Sequence, residues 1–328
     1  MSKVSVLMAC YNASAFVGKS LDSLLAQTMG DFQVVCVDDA STDDTLAILR
    51  RYAAMDSRVR VLALDANEGQ AHARNKALEM ADGDYVCMLD SDDWLSADAL
   101  GRAAEVLDRY PTTDCVLFQV EEVGDQSSRH YPLPDFERMT GMEAFEASLT
   151  WTLHGLYMIR AGLHRRYPYD ETARAYSDDN TTRIHYLHAR EVRQCAGTYF
   201  YRQHSASVTH SVSIRRFDHL RANESMKRQI TEAVGDQRLI NLYERMRWLN
   251  LIDTYMFYFC HRASLSPAER DYGLAEMRRV WGNIERWRIP RSLRLKPGYM
   301  PLWPLWPLFR LQEEIYFTLR KWMGKNKG

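Results

Sequence analysis

Along the first 120 residues, short apolar runs alternate with stretches whose apolar residues recur at helical spacing. The runs cover residues 4–8, 32–37, 59–64, 85–89 and 115–120, and their valine, isoleucine-like and aromatic content predicts strands. Residues 15–27, 44–54, 71–80 and 97–109 between them predict helices. Such alternation marks βαβ units on a mostly parallel sheet, an α/β fold. Several runs are almost continuously hydrophobic, which predicts strands covered on both faces.

Past residue 121 the pattern loosens. Tyr131-Pro132-Leu133-Pro134 reads as a loop, Gly141–Leu149 as a short helix and residues 151–160 as a mixed segment. Helical spacing returns over residues 178–189, and Tyr199-Phe200-Tyr201 predicts a last short strand. Beyond residue 213, long helical patterns rich in Arg, Leu, Tyr and Trp are broken at Pro267, Pro290 and Pro297. The expected organisation is an α/β domain over residues 1–212 and a helical module over residues 213–328.

Composition narrows the classes of function. A formal net charge of −1 removes any global electrostatic case for nucleic acid as a partner. Six scattered cysteines form no C-x-x-C pair, and Cys36 and Cys87 fall inside apolar runs. This usage favours buried thiols in a reduced compartment over a zinc site or a disulfide framework. The apolar run at residues 4–9 is short and lacks a cleavage signal, so it reads as a strand and the expected location is the cytoplasm. On that reading the sequons at Asn12, Asn180 and Asn223 are chance occurrences. No stretch of about 18 uncharged apolar residues predicts a transmembrane helix.

Polar residues gather directly after the strands: Tyr11-Asn12 after the first, Asp38-Asp39 after the second and Asp90-Ser91-Asp92-Asp93 after the fourth. In an open α/β sheet, ligands bind just beyond the carboxyl ends of the strands. Carboxylates packed as closely as Asp90–Asp93 repel one another, and a divalent cation relieves the repulsion. Mg2+ and Mn2+ both take one or two carboxylates together with substrate phosphates. A solvated turn whose aspartates cap the following helix is the competing reading. Asp38 and Asp39 are assigned to ligand, as acceptors for a nucleobase imide or a ribose hydroxyl, whereas Ser41, Thr42 and Asp43 are assigned to capping the next helix. Asn67-Glu68-Gly69 precedes a helix that carries Arg74, whose guanidinium suits a phosphate. The chain lacks G-x-G-x-x-G after its first strand, which argues against a dinucleotide-dependent oxidoreductase.

Five motifs together carry a resemblance. Val4-Ser5-Val6-Leu7-Met8-Ala9-Cys10-Tyr11-Asn12, Ser23-Leu24-Leu25-Ala26-Gln27-Thr28 and Val37-Asp38-Asp39-Ala40-Ser41-Thr42-Asp43-Asp44-Thr45 come first. Asn67-Glu68-Gly69 with Ala73-Arg74-Asn75, and then Leu89-Asp90-Ser91-Asp92-Asp93, follow. In order and spacing these resemble the family 2 glycosyltransferases over roughly the first 100 residues. The resemblance implies a GT-A fold, an activated nucleotide sugar, often UDP-linked, and inversion at the anomeric carbon. It implies that Tyr11 flanks the base, Asp39 contacts base or ribose, Asp90 lies on the ribose side, and Asp92 binds Mn2+ or Mg2+. Asn12, Asp38, Asn67, Arg74 and Ser91 complete the nucleotide-sugar site on this reading. One departure is Ala9-Cys10, where the family often has Pro-Thr or Pro-Val.

The same resemblance implies a base from a Glu-Asp pair opening a later helix. Tyr176-Ser177-Asp178-Asp179 occupies a similar place, with Asp178 where Glu is more usual, which makes Asp179 the expected catalytic base. A helix cap is the bland alternative for this pair. Tyr201-Arg202-Gln203-His204 resembles the segment that closes such domains, with Arg202 toward the diphosphate and His204 toward the metal. The implied acceptor is a glycan or lipid-linked hydroxyl in cell-surface polysaccharide synthesis; the alternative is a non-catalytic nucleotide-sugar-binding protein on the same fold. Near the C-terminus, Trp303, Trp306, Phe309, Ile315, Tyr316, Phe317 and Trp322 mix with Arg310, Arg320, Lys321, Lys325 and Lys327. Two readings stand open there: peripheral contact with the inner face of the cell membrane, or packing against protein, including a second copy.

Overall fold

The structure is a computed structural model describing residues 2–124, 127–172, 177–203, 213–302 and 305–325. The chain divides into two compact units, Met1–Ser207 and Val208–Gly328. The first unit runs β1 (Val4–Cys10), α1 (Val17–Leu25), β2 (Phe32–Asp38), α2 (Thr45–Met55), β3 (Val59–Ala63), α3 (Gln70–Met80), β4 (Tyr85–Met88) and β5 (Trp94–Leu95). It continues with α4 (Ala99–Arg109), β6 (Thr113–Val123), β7 (Ser128–His130), β8 (Met139–Thr140), α5 (Gly141–Leu149), β9 (Tyr157–Arg160), α6 (Ala161–Arg166), α7 (Ser177–His188) and β10 (Glu191–Arg202).

One sheet is ordered β3-β2-β1-β4-β9-β6-β10-β5, with β7 added to β6 and β8 to β10. β1 and β2 are buried along nearly their whole length, as strands sandwiched between helices must be. The register aligns Cys10 with Asp38 and Leu7 with Met88, all in parallel pairs. Parallel strands that end together deliver Tyr11, Asp38 and Asp90 to a single edge of the sheet. β9 is antiparallel to both neighbours, so the sheet is mixed between β4 and β6. β9 does not stand out because apolar residues continue on both sides of it, from Leu153 and Leu156 to Ala161 and Leu163.

The expected short strand over residues 199–201 is the end of a twelve-residue strand, β10. Its first half hides because it is polar: Arg193 is buried, donates to Thr113 Oγ1 at 3.1 Å and stacks 3.8 Å from the Tyr110 ring. The register also shifts between Gln194 and Thr198, breaking the two-residue alternation. Gly197 fits there because a Cβ would lie 2.7 Å from Ala99 Cα.

The second unit is helical, with α8 (Asp218–Ala233), α9 (Gln237–His261), α10 (Pro267–Asn283), α11 (Arg291–Arg294) and α12 (Trp306–Trp322). Ser266 and Glu269 cap α10 reciprocally, and Pro267 opens it, where its missing N–H costs nothing. Trp248, Tyr255, Phe309 and Phe317 form its centre. Among the described residues, no helix is long and apolar enough to cross a membrane.

Candidate active site

At the β1 and β2 exits, the backbone turns through two non-glycine residues with positive φ, Asn12 at 49° and Ala40 at 57°. Asn12 Oδ1 accepts from the Thr42 amide at 2.8 Å, and the Asn12 amide donates to Ser41 Oγ at 3.0 Å. Asn12 therefore clasps the two loops together. Tyr11 beside it is exposed. Cys10 is fully buried, and the neighbouring Cys36, together with burial, pushes its thiol pKa well up, so it does not face the loops.

Asp38 and Asp39 are both buried, and they are used differently. Asp39 accepts from the Asn67 side chain at 2.9 Å and from the Glu68 and Gly69 amides at 2.8 and 2.9 Å. Its carboxylate is the clamp of the turn that opens α3, where Gly69 takes φ 99°. Asp38 accepts from the Ser41 amide through one oxygen, while the other, Oδ1, is buried without a hydrogen-bond partner. A buried acceptor left empty is costly and points to a missing donor. The helix-cap reading is corrected for Ser41 and Thr42, whose side-chain bonds go to Asn12, and Asp44, from which α2 starts, makes no side-chain cap bond. Asp43 accepts from the Thr45 amide at 3.0 Å and the Ser14 amide at 3.1 Å, tying the two loops.

The acidic turn after β4 divides its aspartates among three surroundings. Asp93 is buried, accepting from Tyr199 Oη at 2.8 Å and from the Arg202 amide at 2.7 Å. Burial, then the charges of Asp90 and Asp92, push its pKa well up. Asp90 is raised by burial against the pull of Arg74, with Asp92 adding to the rise. Asp92 is half-buried, and its carbonyl accepts from Arg202 Nε at 2.7 Å. The Ser91 carbonyl accepts from Ser20 Oγ at 2.9 Å. Arg202 also lies 4.8 Å from the Trp94 ring, on which Lys19 Nζ sits at 3.3 Å. Trp94 stacks in turn on Phe200 at 5.4 Å. Two cations thus flank the acidic turn: Arg202 is among the residues the sequence singled out, whereas Lys19 carried no sequence signal because it lies on α1, far along the chain from Trp94 and Arg202.

Arg74 is 1% exposed and bridges the site. Its guanidinium donates to Asp90 at 2.7 Å and, 104 residues along the chain, to Asp178 at 3.1 Å. Burial works against its charge, but the two carboxylates overcome that and raise its pKa. Its two terminal nitrogens each hold a carboxylate, while its buried Nε has no hydrogen-bond partner. Asp178 and Asp179 open α7, as the sequence predicts, and the Asp179 amide donates to Asp178 Oδ1 at 3.1 Å. Burial, then the Asp178 charge, push Asp179 up to about 7, against the opposing pull of Arg183 and Arg74. His204 lies outside the described residues. Among the described residues, no group of three or more metal-ligating side chains is preassembled.

The model of Glycosyl transferase family 2 matches residues 5–169, and the chain belongs to that family. The chain is 43% identical over 104 residues to the putative teichuronic acid biosynthesis glycosyltransferase TuaG of Bacillus subtilis (strain 168), covering 32% of this chain and 41% of that protein. It is 29% identical over 205 residues to the poly(ribitol-phosphate) beta-glucosyltransferase of Bacillus spizizenii, covering 61% of this chain and 32% of the relative. The matches thus span well under half the length of these relatives. Among solved structures, S. aureus TarS 1-349 in complex with UDP-GlcNAc superposes with a TM-score of 0.71 at 19% identity, covering 98% of this chain and 92% of that one. The mannosyltransferase PcManGT from Pyrobaculum calidifontis, in complex with GDP-Man and Mn2+, gives 0.52 at 19% identity, covering 98% and 88%. The fold is GT-A.

Proposed function

We propose that this chain is an inverting glycosyltransferase that passes a sugar from a UDP-sugar to an acceptor hydroxyl, with Asp179 as the base. The observation that carries the reading is Arg74, which ties the acidic turn to the start of α7 through Asp90 and Asp178. A donor-binding turn and a base from opposite halves of the chain are thereby held as one site. A nucleobase imide would donate to the vacant Oδ1 of Asp38, with Tyr11 over the base and Asp90 toward the ribose. Asp39, Asn12 and Asn67 act one layer further out, fixing the loops that make this pocket. Arg202 and Lys19 would meet the diphosphate.

The donor set at the acidic turn fits a divalent cation. The Asp92 charge adds to the rise at Asp90, and Asp90 and Asp92 both add to that at Asp93; a hard cation takes one or two such carboxylates plus phosphate oxygens. Asp92 would hold it, and bound there it would neutralise the leaving diphosphate. Inversion needs a single displacement: the acceptor oxygen attacks as Asp179 takes its proton, and UDP leaves. Mn2+-dependent thermal stabilisation by UDP-sugars tests the donor half, and Asp92→Ala should abolish transfer with the fold intact. Stabilisation by a GDP-sugar and by no UDP-sugar would overturn the uracil reading of the nucleobase site, leaving the role of Asp179 to be tested separately.

We also propose that the helical unit rests on an anionic lipid surface, which would bring the enzyme to a lipid-linked acceptor. α12 turns Glu313 inward and pairs Glu314 with Arg262 at 2.7 Å, while Leu308, Leu311, Ile315, Leu319 and Trp322 stand exposed along one face. Residues 284–328 hold ten Lys and Arg against three Glu in a chain of net charge −1. An apolar face with a basic rim suits a headgroup interface. The full chain should co-sediment with phosphatidylglycerol vesicles, and Leu311→Asp with Ile315→Asp should release it. Equal retention of the double variant, or concentration-dependent dimerisation that these changes abolish, would replace the membrane with another occupant.

A further inference from the structure

α5 ends in a Schellman motif. The Trp151 amide donates to the Ser148 carbonyl at 3.2 Å and the Thr152 amide to the Ala147 carbonyl at 3.0 Å, with Trp151 at φ 58°. That left-handed position is usually glycine, because any Cβ is strained there and a bulky side chain most of all. The helix stop explains the backbone but not the tryptophan. The ring does not pay for its place by burial either, since Trp151 is 40% exposed. Strain retained at an exposed residue is characteristic of functional positions.

The surroundings hold the ring in one place. Tyr131 Oη donates to the Trp151 carbonyl, and the buried Arg183 lies 4.9 Å from the indole centroid. Arg183 is four residues after Asp179 on α7, so both lie on one helix face. Helical side chains lean toward the N-terminus, which carries the Arg183 guanidinium over the turn bearing Asp179. Asp178, on that same turn, faces the other way toward Arg74 and the donor-side Asp90. The first turn of α7 therefore separates a donor side from a side where Trp151 waits.

We propose that Trp151, backed by Arg183, is the platform on which a pyranose ring of the acceptor stacks, bringing its hydroxyl to Asp179. This rests on Asp179 being the base. A sugar ring presents a face of C–H groups that an indole covers well, and the cation behind the ring fixes the indole in place. An acceptor built of linear polyol phosphate has no such face.

The test uses the full chain and ligand-detected saturation-transfer NMR with methyl glucoside, methyl galactoside, methyl N-acetylglucosaminide and methyl glucuronide as probes. At least one should receive saturation at its ring protons. Trp151→Gly should melt at the wild-type temperature or above, since glycine suits the helix stop, yet weaken that binding about tenfold or more. Trp151→Phe should keep most of it. Unchanged pyranoside binding in Trp151→Gly overturns the platform, as does a wild-type protein that binds none of the four. A Trp151-dependent signal from ribitol phosphate alone overturns the sugar class. UDP in the same sample reports on the donor reading separately: its failure to bind removes that reading, while the pyranoside signal still decides the role of Trp151.

Discussion

If Asp179 is the base, transfer must follow its ionisation. Burial and the neighbouring Asp178 hold its pKa at about 7 in place of the ordinary 3.8. At pH 6 only about a tenth of the carboxylates would be ionised, so kcat/KM should fall about tenfold there from its plateau above pH 8. The assay is UDP release with the working donor and acceptor from pH 5 to 9. Two substitutions should move the ascending limb in opposite directions. Asp178→Asn removes a like charge and moves it to lower pH; Arg183→Met removes a cation and moves it to higher pH. The linked stability effect has a definite sign. A carboxyl whose folded pKa is raised favours folding below about 4, and that advantage is lost as pH climbs to about 7. The ceiling is about 4 kcal/mol, one pKa unit being worth about 1.36. Asp179→Asn should therefore be inactive yet more stable than wild type at pH 8, with the difference vanishing near pH 4. A limb near pH 4, or two variants that shift it the same way, would refute the assignment.

Three further outcomes are expected. Arg74→Ala leaves Asp90 and Asp178 facing each other without their cation, which should cost about 2–4 kcal/mol in urea denaturation, and Arg74→Lys should recover only part of it. Asp39→Asn presents a donor to one of three N–H groups; a loss of about 2 kcal/mol and faster hydrogen exchange at the Glu68 and Gly69 amides should follow. Gly141→Ala would set a Cβ 1.9 Å from the Ala189 carbonyl oxygen, so calorimetry should find about 3 kcal/mol or more lost.

Strands β1, β2 and β4 were legible because burial on both faces writes a nearly continuous apolar run bounded by polar residues. Their carboxyl ends followed, and with them the sheet edge that carries Tyr11, Asp38 and Asp90. β9 and the first half of β10 were not legible: one is embedded in a mixed segment with apolar residues on both sides, and the other buries Arg193 by pairing it with Thr113 and Tyr110. Hydrophobic periodicity cannot register a strand whose inward side chains are satisfied by specific partners.

The same limit separates identity from role within the site. Sequence placed Asp38, Asp39, Asp90 and Arg74 at one edge, but which of them meets ligand depends on which are already hydrogen-bonded. Asp39 has three donors and Asp38 retains an empty buried oxygen, a distinction invisible in the dipeptide. Arg74 suited phosphate by chemistry, yet its two terminal nitrogens found carboxylates first, one of them from α7. That choice changes what the residue does. On the proposed mechanism, a guanidinium held between Asp90 and Asp178 fixes the distance between the donor turn and the base. Alignment of the two reacting sides is then a property of the folded resting state, and substrate binding need not supply it.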